Sequence, residues 1–156
     1  MDEGLTIGEQ GGAAVVSGRI RSMANVLFVC VENAGRSQLS ETLFARAARG
    51  RHEARSAGSA PAARLNDRVV AVLAEQGIDI AGRVPRGLDR VDAAWADLVV
   101  TMGCGDACPY VPGTRYVDWD LSDPKGMSLD EVRALRDEIA IRVEALVEEL
   151  EPAAIA

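Results

Sequence analysis

Apolar residues alternate between short continuous runs and helical stripes along most of the chain. The run at residues 26–29 predicts a buried strand. An amphipathic helix is predicted next, ending near Gly50, because apolar residues recur there at three- and four-residue spacing: Leu39, Leu43, Phe44 and Ala47. The chain therefore begins its periodic part with a strand, a loop and a helix.

The same alternation continues towards the C-terminus. Strands are predicted at residues 53–57, 98–100 and 115–119, and a helix between the first two ends near Gly77. Ser128 and Glu131 fit a capping box. The long amphipathic helix that follows is defined by Val132, Leu135, Ile139, Val143, Leu146 and Leu150.

Strands that alternate with helices predict an α/β fold of three layers, in which a four-stranded parallel sheet carries helices on both faces. In such sheets the functional site lies at the carboxyl ends of the strands. Residues 24–152 are predicted to form this single domain. Residues 1–23 are rich in glycine and lack periodicity, so we expect a flexible extension in which Met23 could be an alternative start.

Composition narrows the classes of function. The net charge of −7 argues against a nucleic-acid binder, which needs a basic face. The start of the chain has no basic leader and no apolar run long enough for a membrane span, so we expect a cytoplasmic protein without membrane contact. Three cysteines in a reducing compartment favour catalytic or redox thiols over permanent cross-links.

The segment that joins the first strand to the first helix carries the strongest chemical pattern. A loop of this length can curl around a tetrahedral oxyanion, with backbone N–H groups and a helix N-terminus directed at the anion. Cys30 is the first residue of this loop. Arg36 carries a planar, permanently charged guanidinium that can bond to two oxygens of the anion. The predicted anion-binding residues are Val31, Glu32, Asn33, Ala34, Gly35, Arg36 and Ser37.

The same positive field favours the thiolate form of Cys30, which is the nucleophilic form of cysteine. Asn33 and Ser37 could hold the loop through bonds from their side chains, and Ser37 could also donate to the sulfur. The pattern of a cysteine and an arginine six residues later is weak in isolation. Placed after a strand and before a helix, it indicates a nucleophilic oxyanion loop.

At these residues the chain resembles the low-molecular-weight protein tyrosine phosphatase family, and within it the thioredoxin-coupled arsenate reductases. The resemblance spans nearly all of residues 25–150. Besides the loop it rests on four segments, at residues 56–58, 99–104, 119–124 and 136–139.

The resemblance implies an arsenate reductase in which Cys30 attacks arsenic and Asp123 protonates the departing oxygen, with Asp120 as a nearby competitor for that role. It further implies that Cys104 attacks Cys30 and releases arsenite. Cys108 then attacks Cys104 and moves the disulfide outward for reduction by thioredoxin. Phosphate and sulfate would compete with arsenate, and we expect a monomer that needs no cofactor and no metal.

The chain departs from the family pattern in two respects. Cys104 and Cys108 are closer together than in familiar members. Residues four apart on an intact helix have Cβ atoms about 5–6 Å apart, which is too far for a disulfide, so we expect residues 103–109 to rearrange during turnover, with Gly103 and Gly105 as hinges. The family's potassium positions are matched only in part: Asn33, Glu41 and Ser56 fit the ion site, whereas Val84 and Arg86 fall where oxygen ligands would be expected. A cation beside Arg86 is electrostatically unfavourable, so no ion is expected.

Several alternatives stay open. A low-molecular-weight phosphatase would use Cys30 to form a phospho-intermediate and leave the other two cysteines idle. An oxyanion sensor would bind without turnover, and glutathione or mycothiol could replace thioredoxin. His52 as the base of a Cys-His hydrolase and a zinc site on the three thiols are weaker hypotheses. Arg83, Arg86 and Arg90 are expected to form a solvated face, and Trp95 and Trp119 to serve packing.

Overall fold

A four-stranded parallel sheet forms the centre of the fold. The computed structural model describes residues 13–16, 19–105 and 112–151. The central strands are β3 (Asn25–Cys30), β4 (Glu53–Gly58), β5 (Leu98–Thr101) and β6 (Arg115–Asp118), in the order β4-β3-β5-β6. The helices are α1 (Arg36–Ala48), α2 (Asp67–Ala74), α3 (Arg90–Trp95) and α4 (Leu129–Leu150).

Alternate residues of β3 face opposite sides of this sheet. Val26, Phe28 and Cys30 belong to the larger apolar core, which includes buried side chains of α1, α2 and α4. Leu27 and Val29 belong to a smaller core on the other face, together with Ala96 and the Trp95 side chain at the end of α3. The predicted α/β fold with helices on both faces is therefore confirmed.

The long helix α4 begins as the sequence predicts. The Ser128 hydroxyl accepts from the Glu131 N–H while the Glu131 carboxylate accepts from the Ser128 N–H, which completes a capping box. Near its start, Arg133 and Arg136 both bond to Glu75 at the end of α2. The hydrogen bond from Arg133 lowers the pKa of the Glu75 carboxyl.

Three elements were not predicted. The short helix α3 buries only Asp92 and Ala93, so it leaves little apolar periodicity in the sequence, although Asp89 caps it. Strands β1 (Ala13–Val16) and β2 (Arg19–Ser22) form a separate antiparallel pair within the segment that was expected to be a flexible extension. Residues 1–12, 17–18 and 152 lie outside the described residues, and the flexibility of the extension stays a prediction.

None of the helices in the described ranges is long and apolar enough to span a bilayer.

Candidate active site

Cys30 is the last residue of β3 and lies at the floor of a cavity. The structure has it as a free, buried thiol. The Asn33 N–H donates to its sulfur at 3.3 Å, and the Ser37 hydroxyl lies 3.0 Å from it. Because the Ser37 oxygen already accepts from the Asn33 side chain at 2.7 Å, its own hydrogen can be donated to sulfur. Two donors therefore lie against the sulfur that lines the cavity.

Asn33 is the organising residue of the loop. It is fully buried and adopts a left-handed backbone conformation with φ of 54°. Its side-chain NH₂ donates to Ser37 and, at 3.0 Å, to Ser56. Its side-chain oxygen accepts from the Gln38 amide at 3.0 Å and from the Arg86 N–H at 2.8 Å. All hydrogen-bonding atoms of this side chain have partners, which fixes the loop in one conformation.

The end of β4 lies directly against the loop. A Cβ added to Gly58 would approach the Val31 carbonyl oxygen to 2.5 Å and the Asn33 nitrogen to 2.8 Å. Two N–H groups just after β4 donate to the same loop. The Ser59 N–H donates to the Cys30 carbonyl at 3.1 Å, and the Ala60 N–H donates to the Val31 carbonyl at 2.8 Å. The backbone of the loop is thus held from β4 as well as from its own side chains.

Arg36 opens helix α1 and lies on the wall of the cavity. Its guanidinium donates to the Leu121 carbonyl at 3.2 Å and lies 3.7 Å from the Asp123 carboxylate. Gly103 lies against the same guanidinium, and its φ of 88° is a backbone conformation that favours glycine. Helix α1 has no side-chain cap at its N-terminus, which leaves its first amides available to an anion.

The rim of the cavity differs from its floor. Asp123 exposes 53% of its side chain and accepts from the Lys125 N–H at 3.0 Å. The Lys125 ammonium pairs at 3.3 Å with Glu32, and its side chain is 73% exposed. This pair links the oxyanion loop to the segment that carries the predicted general acid.

The cavity between floor and rim has a volume of about 150 Å³. Of the predicted anion-binding residues, Glu32, Ala34, Gly35 and Arg36 line it, whereas Asn33 and Ser37 are buried behind it. None of the described residues that line it is aromatic. Besides those four the lining comprises Cys30, Arg64, Asn66, Asp123, Pro124 and Lys125. Such a space accommodates a small tetrahedral anion, and its described lining offers no aromatic ring for stacking on an aryl group.

Of the other two cysteines, the structure describes Cys104. It is buried beside Val29 and Val99 and is disulfide-bonded, while Cys30 is not. Cys104 follows β5, the direct neighbour of β3 in the sheet, so both strands deliver a cysteine to the same end. Cys108 lies outside the described residues.

His52 lies at the opposite end of the sheet. It precedes β4, which runs parallel to β3, whereas Cys30 ends β3. One ring nitrogen accepts from the Ala24 N–H at 3.0 Å and the other lies 2.5 Å from the Glu151 carboxylate. A Cys30–His52 hydrolase is therefore excluded by the topology. Trp119 packs on Phe28 in the core, as the packing interpretation predicts.

Sequence reasoning missed the residues behind the loop. Arg83 and Arg86 were expected on a solvated face, and their side chains are exposed, at 40% and 47%, but the bonds that each also makes to groups behind the loop were not expected. Arg83 bonds to Gln38 at 3.3 Å and to Thr42 at 3.0 Å, and Arg86 bonds to several groups behind the loop. The available signal in the sequence was Gln38, a polar residue next to Ser37 on a buried face of the helix, which needs polar partners.

Comparisons with known proteins agree with this geometry. The family model described as low molecular weight phosphotyrosine protein phosphatase matches residues 25–154. A thioredoxin-dependent arsenate reductase of Corynebacterium glutamicum superposes with a TM-score of 0.71 at 38% identity. The match covers 81% of this chain and 61% of that one.

A second relative, the glutaredoxin arsenate reductase of Synechocystis, is 34% identical over 128 residues, which is 80% of this chain and 97% of that protein. An arginine phosphatase of Geobacillus stearothermophilus also superposes with a TM-score of 0.71, at 26% identity, covering 81% of this chain and 92% of that one. Reductases and a phosphatase thus share this fold.

Proposed function

The chain belongs to the low molecular weight phosphotyrosine protein phosphatase family, and from that premise we propose that it reduces arsenate to arsenite. The observation that carries the proposal is the free Cys30 thiol at the floor of a small cavity, with amide donors behind it and the Arg36 guanidinium on its wall. This arrangement binds a tetrahedral oxyanion and presents a sulfur nucleophile to its centre.

In the first step the Cys30 sulfur attacks arsenic and an oxygen leaves as water. Asp123 supplies the proton. Its carboxyl lies 3.7 Å from the Arg36 guanidinium, and because that guanidinium holds the anion, the carboxyl is close to the departing oxygen. A carboxylic acid in this place lowers the cost of expelling hydroxide. The product is a covalent bond between the Cys30 sulfur and arsenic(V).

The reduction needs two electrons, which two thiols provide when they form a disulfide. The Cys104 sulfur attacks Cys30, the sulfur–arsenic bond breaks, and arsenic keeps the bonding pair and leaves as arsenite. Cys108 then attacks Cys104 and frees Cys30 for the next cycle. A disulfide on Cys104 beside a free Cys30 thiol is consistent with the state after this exchange.

We further propose thioredoxin as the reductant of the outer disulfide, in a monomeric cytoplasmic enzyme for which phosphate and sulfate compete with arsenate. The C. glutamicum relative is thioredoxin-dependent, whereas the Synechocystis relative is a glutaredoxin arsenate reductase. The two dithiol proteins differ in reduction potential, with thioredoxin the stronger reductant. Residues 103–109 would rearrange during exchange, with Gly103 and Gly105 as hinges.

A coupled assay tests the proposal. NADPH oxidation is followed with arsenate, thioredoxin and thioredoxin reductase for the wild type, Cys30→Ser, Cys104→Ser and Cys108→Ser. We expect turnover by the wild type and none by the three variants. Full activity of both Cys104→Ser and Cys108→Ser would contradict the relay. Wild-type turnover only when glutaredoxin or a low-molecular-weight thiol replaces thioredoxin would correct the reductant alone.

A second candidate is phosphomonoester hydrolysis through a Cys30 phospho-intermediate. It is favoured by the arginine phosphatase that shares the fold and by the presence of Cys30, Arg36 and Asp123, which such a reaction also uses. The charged and small residues around the cavity disfavour an aryl substrate. Rapid hydrolysis of para-nitrophenyl phosphate without turnover of arsenate would select this candidate.

A further inference from the structure

Arg86 lies behind the oxyanion loop and contacts it through both backbone and side chain. Its N–H donates to the Asn33 side-chain oxygen at 2.8 Å, and its carbonyl accepts from the Gly58 N–H at 2.8 Å. Its guanidinium donates to the Ser56 carbonyl at 2.8 Å and to Asp92 at 2.7 Å. The residue is thus fixed at four points, although it does not line the cavity.

Asp92 is the anchor of this arrangement. Its side chain is 2% exposed, and its two oxygens accept from different arginines, Arg86 and, at 3.2 Å, Arg55. A buried carboxylate is costly unless it is paired, so the pairing holds the arginine side chains in place. Arg55 also stacks on Trp95 at 4.0 Å and has no described contact with the loop.

A continuous path runs from Arg86 to the reactive sulfur. The Arg86 N–H holds one end of the Asn33 amide, whose other end donates to Ser37, and the Ser37 hydroxyl contacts Cys30. Asn33 has a left-handed backbone, which asparagine tolerates better than most residues, and its side-chain bonds fix it in that conformation. A shift of Arg86 therefore turns the Asn33 amide and moves the donors around the sulfur.

We propose that Arg86, held by Asp92, is a positioning residue that sets the anion-binding geometry of the oxyanion loop. The inference rests on the proposed use of the loop for a tetrahedral oxyanion and not on the reduction of arsenate. Arg86 does not touch the anion. Its effect is expected in how tightly an oxyanion binds, beyond any effect on the stability of the fold.

The test measures binding of inorganic phosphate through the protection of Cys30. The full-length reduced protein is alkylated with iodoacetamide at increasing phosphate concentrations, and the rate of modification of the Cys30 peptide is followed by mass spectrometry. For Arg86→Ala we expect phosphate binding to weaken about tenfold, the order of effect of one well-placed hydrogen bond to a charged group. For Arg86→Lys, which keeps the charge but not the two-point clamp, we expect about threefold.

Arg55→Ala is the matched control. It also removes one arginine from Asp92, but it leaves Ser56 and Asn33 untouched, so phosphate binding should stay within about twofold of the wild type. Equal weakening by Arg55→Ala and Arg86→Ala would overturn the proposal, as would unchanged binding in Arg86→Ala. Full recovery in Arg86→Lys would show that charge alone suffices and would also overturn it.

Should Arg86→Ala not fold, the comparison of Arg86→Lys with the wild type decides. Weaker phosphate binding at an unchanged melting temperature supports positioning, and equal binding contradicts it. A failure of arsenate turnover in the wild type leaves this readout intact, so the two proposals are tested separately.

Discussion

The floor and the rim of the cavity are built in opposite ways. On the floor, Asn33 and Ser37 are fully buried and bonded to each other and to the groups around them. On the rim, Asp123 and Lys125 expose more than half of their side chains and make few bonds. The floor is preorganised for an anion before the anion arrives, whereas the rim can move as a leaving oxygen is protonated.

This difference predicts that changes on the floor alter stability and activity together, while changes on the rim alter activity alone. Substitutions in the two regions can test that separation, from the most damaging to the mildest.

Asn33→Ala should have the largest effect. It removes four side-chain hydrogen bonds of a buried residue, so we expect the free energy of unfolding to fall by about 2–4 kcal/mol. We expect kcat/KM for arsenate to fall about 100-fold, because the donors around Cys30 lose their alignment. Urea unfolding and the coupled assay measure the two effects.

Ser128→Ala is the control for Asn33→Ala. It breaks the cap of α4 at a residue that does not line the cavity, and it should cost about 1 kcal/mol. Its kcat/KM should equal that of the wild type. A comparable loss of activity in Ser128→Ala would mean that general destabilisation, and not the floor geometry, controls turnover.

Asp123→Asn should affect activity alone. Loss of the proposed general acid is expected to lower kcat by about 10²-fold or more. Because the side chain is largely exposed, the free energy of unfolding should change by no more than about 0.5 kcal/mol. Asp120→Asn is the matched control, since it changes an exposed acid in the same segment. A larger loss in Asp120→Asn would transfer the acid role to Asp120.

Gly58→Ala tests how tightly β4 holds the loop. The added methyl would be 2.5 Å from the Val31 carbonyl, so the backbone must shift at a cost of about 1–3 kcal/mol. Gly82→Ala is the control, because a Cβ there meets nothing within 4 Å. Equal melting temperatures for the two variants would show that the loop yields easily, against the idea of a rigid floor.

The mildest changes concern the ion pair across the rim. Glu32→Gln removes a negative charge from the cavity and should lower the KM for arsenate, whereas Lys125→Met should raise it, each by about twofold. Both differences should shrink at high salt, because exposed charges are screened. Effects of the same sign would show that the pair acts through geometry and not through charge.

Most of the fold was predictable because its signals are local. The strands of the central sheet and the helices α1, α2 and α4 follow from apolar periodicity, and the cap at Ser128 follows from two residues. Helix α3 was missed because its six residues bury little apolar surface. The β1–β2 pair carries no alternation strong enough to predict strands in a glycine-rich segment.

Only those parts of the site whose residues lie close together in the sequence were predictable. Cys30 and Arg36 share one loop, so their spacing in the sequence already indicates their chemistry. The bond from Arg86 to Asn33 joins residues 53 positions apart, so no local spacing indicates it. Such contacts depend on tertiary packing, which local patterns do not encode.

The most direct test of the central claim is a single turnover without any external reductant. The fully reduced protein is mixed with arsenate, and arsenite and free thiols are counted after quenching. The account predicts about one arsenite released and two thiols lost per protein chain, because arsenic(V) takes both electrons from the protein. No arsenite from the wild type, or the same yield from Cys30→Ser, would contradict it.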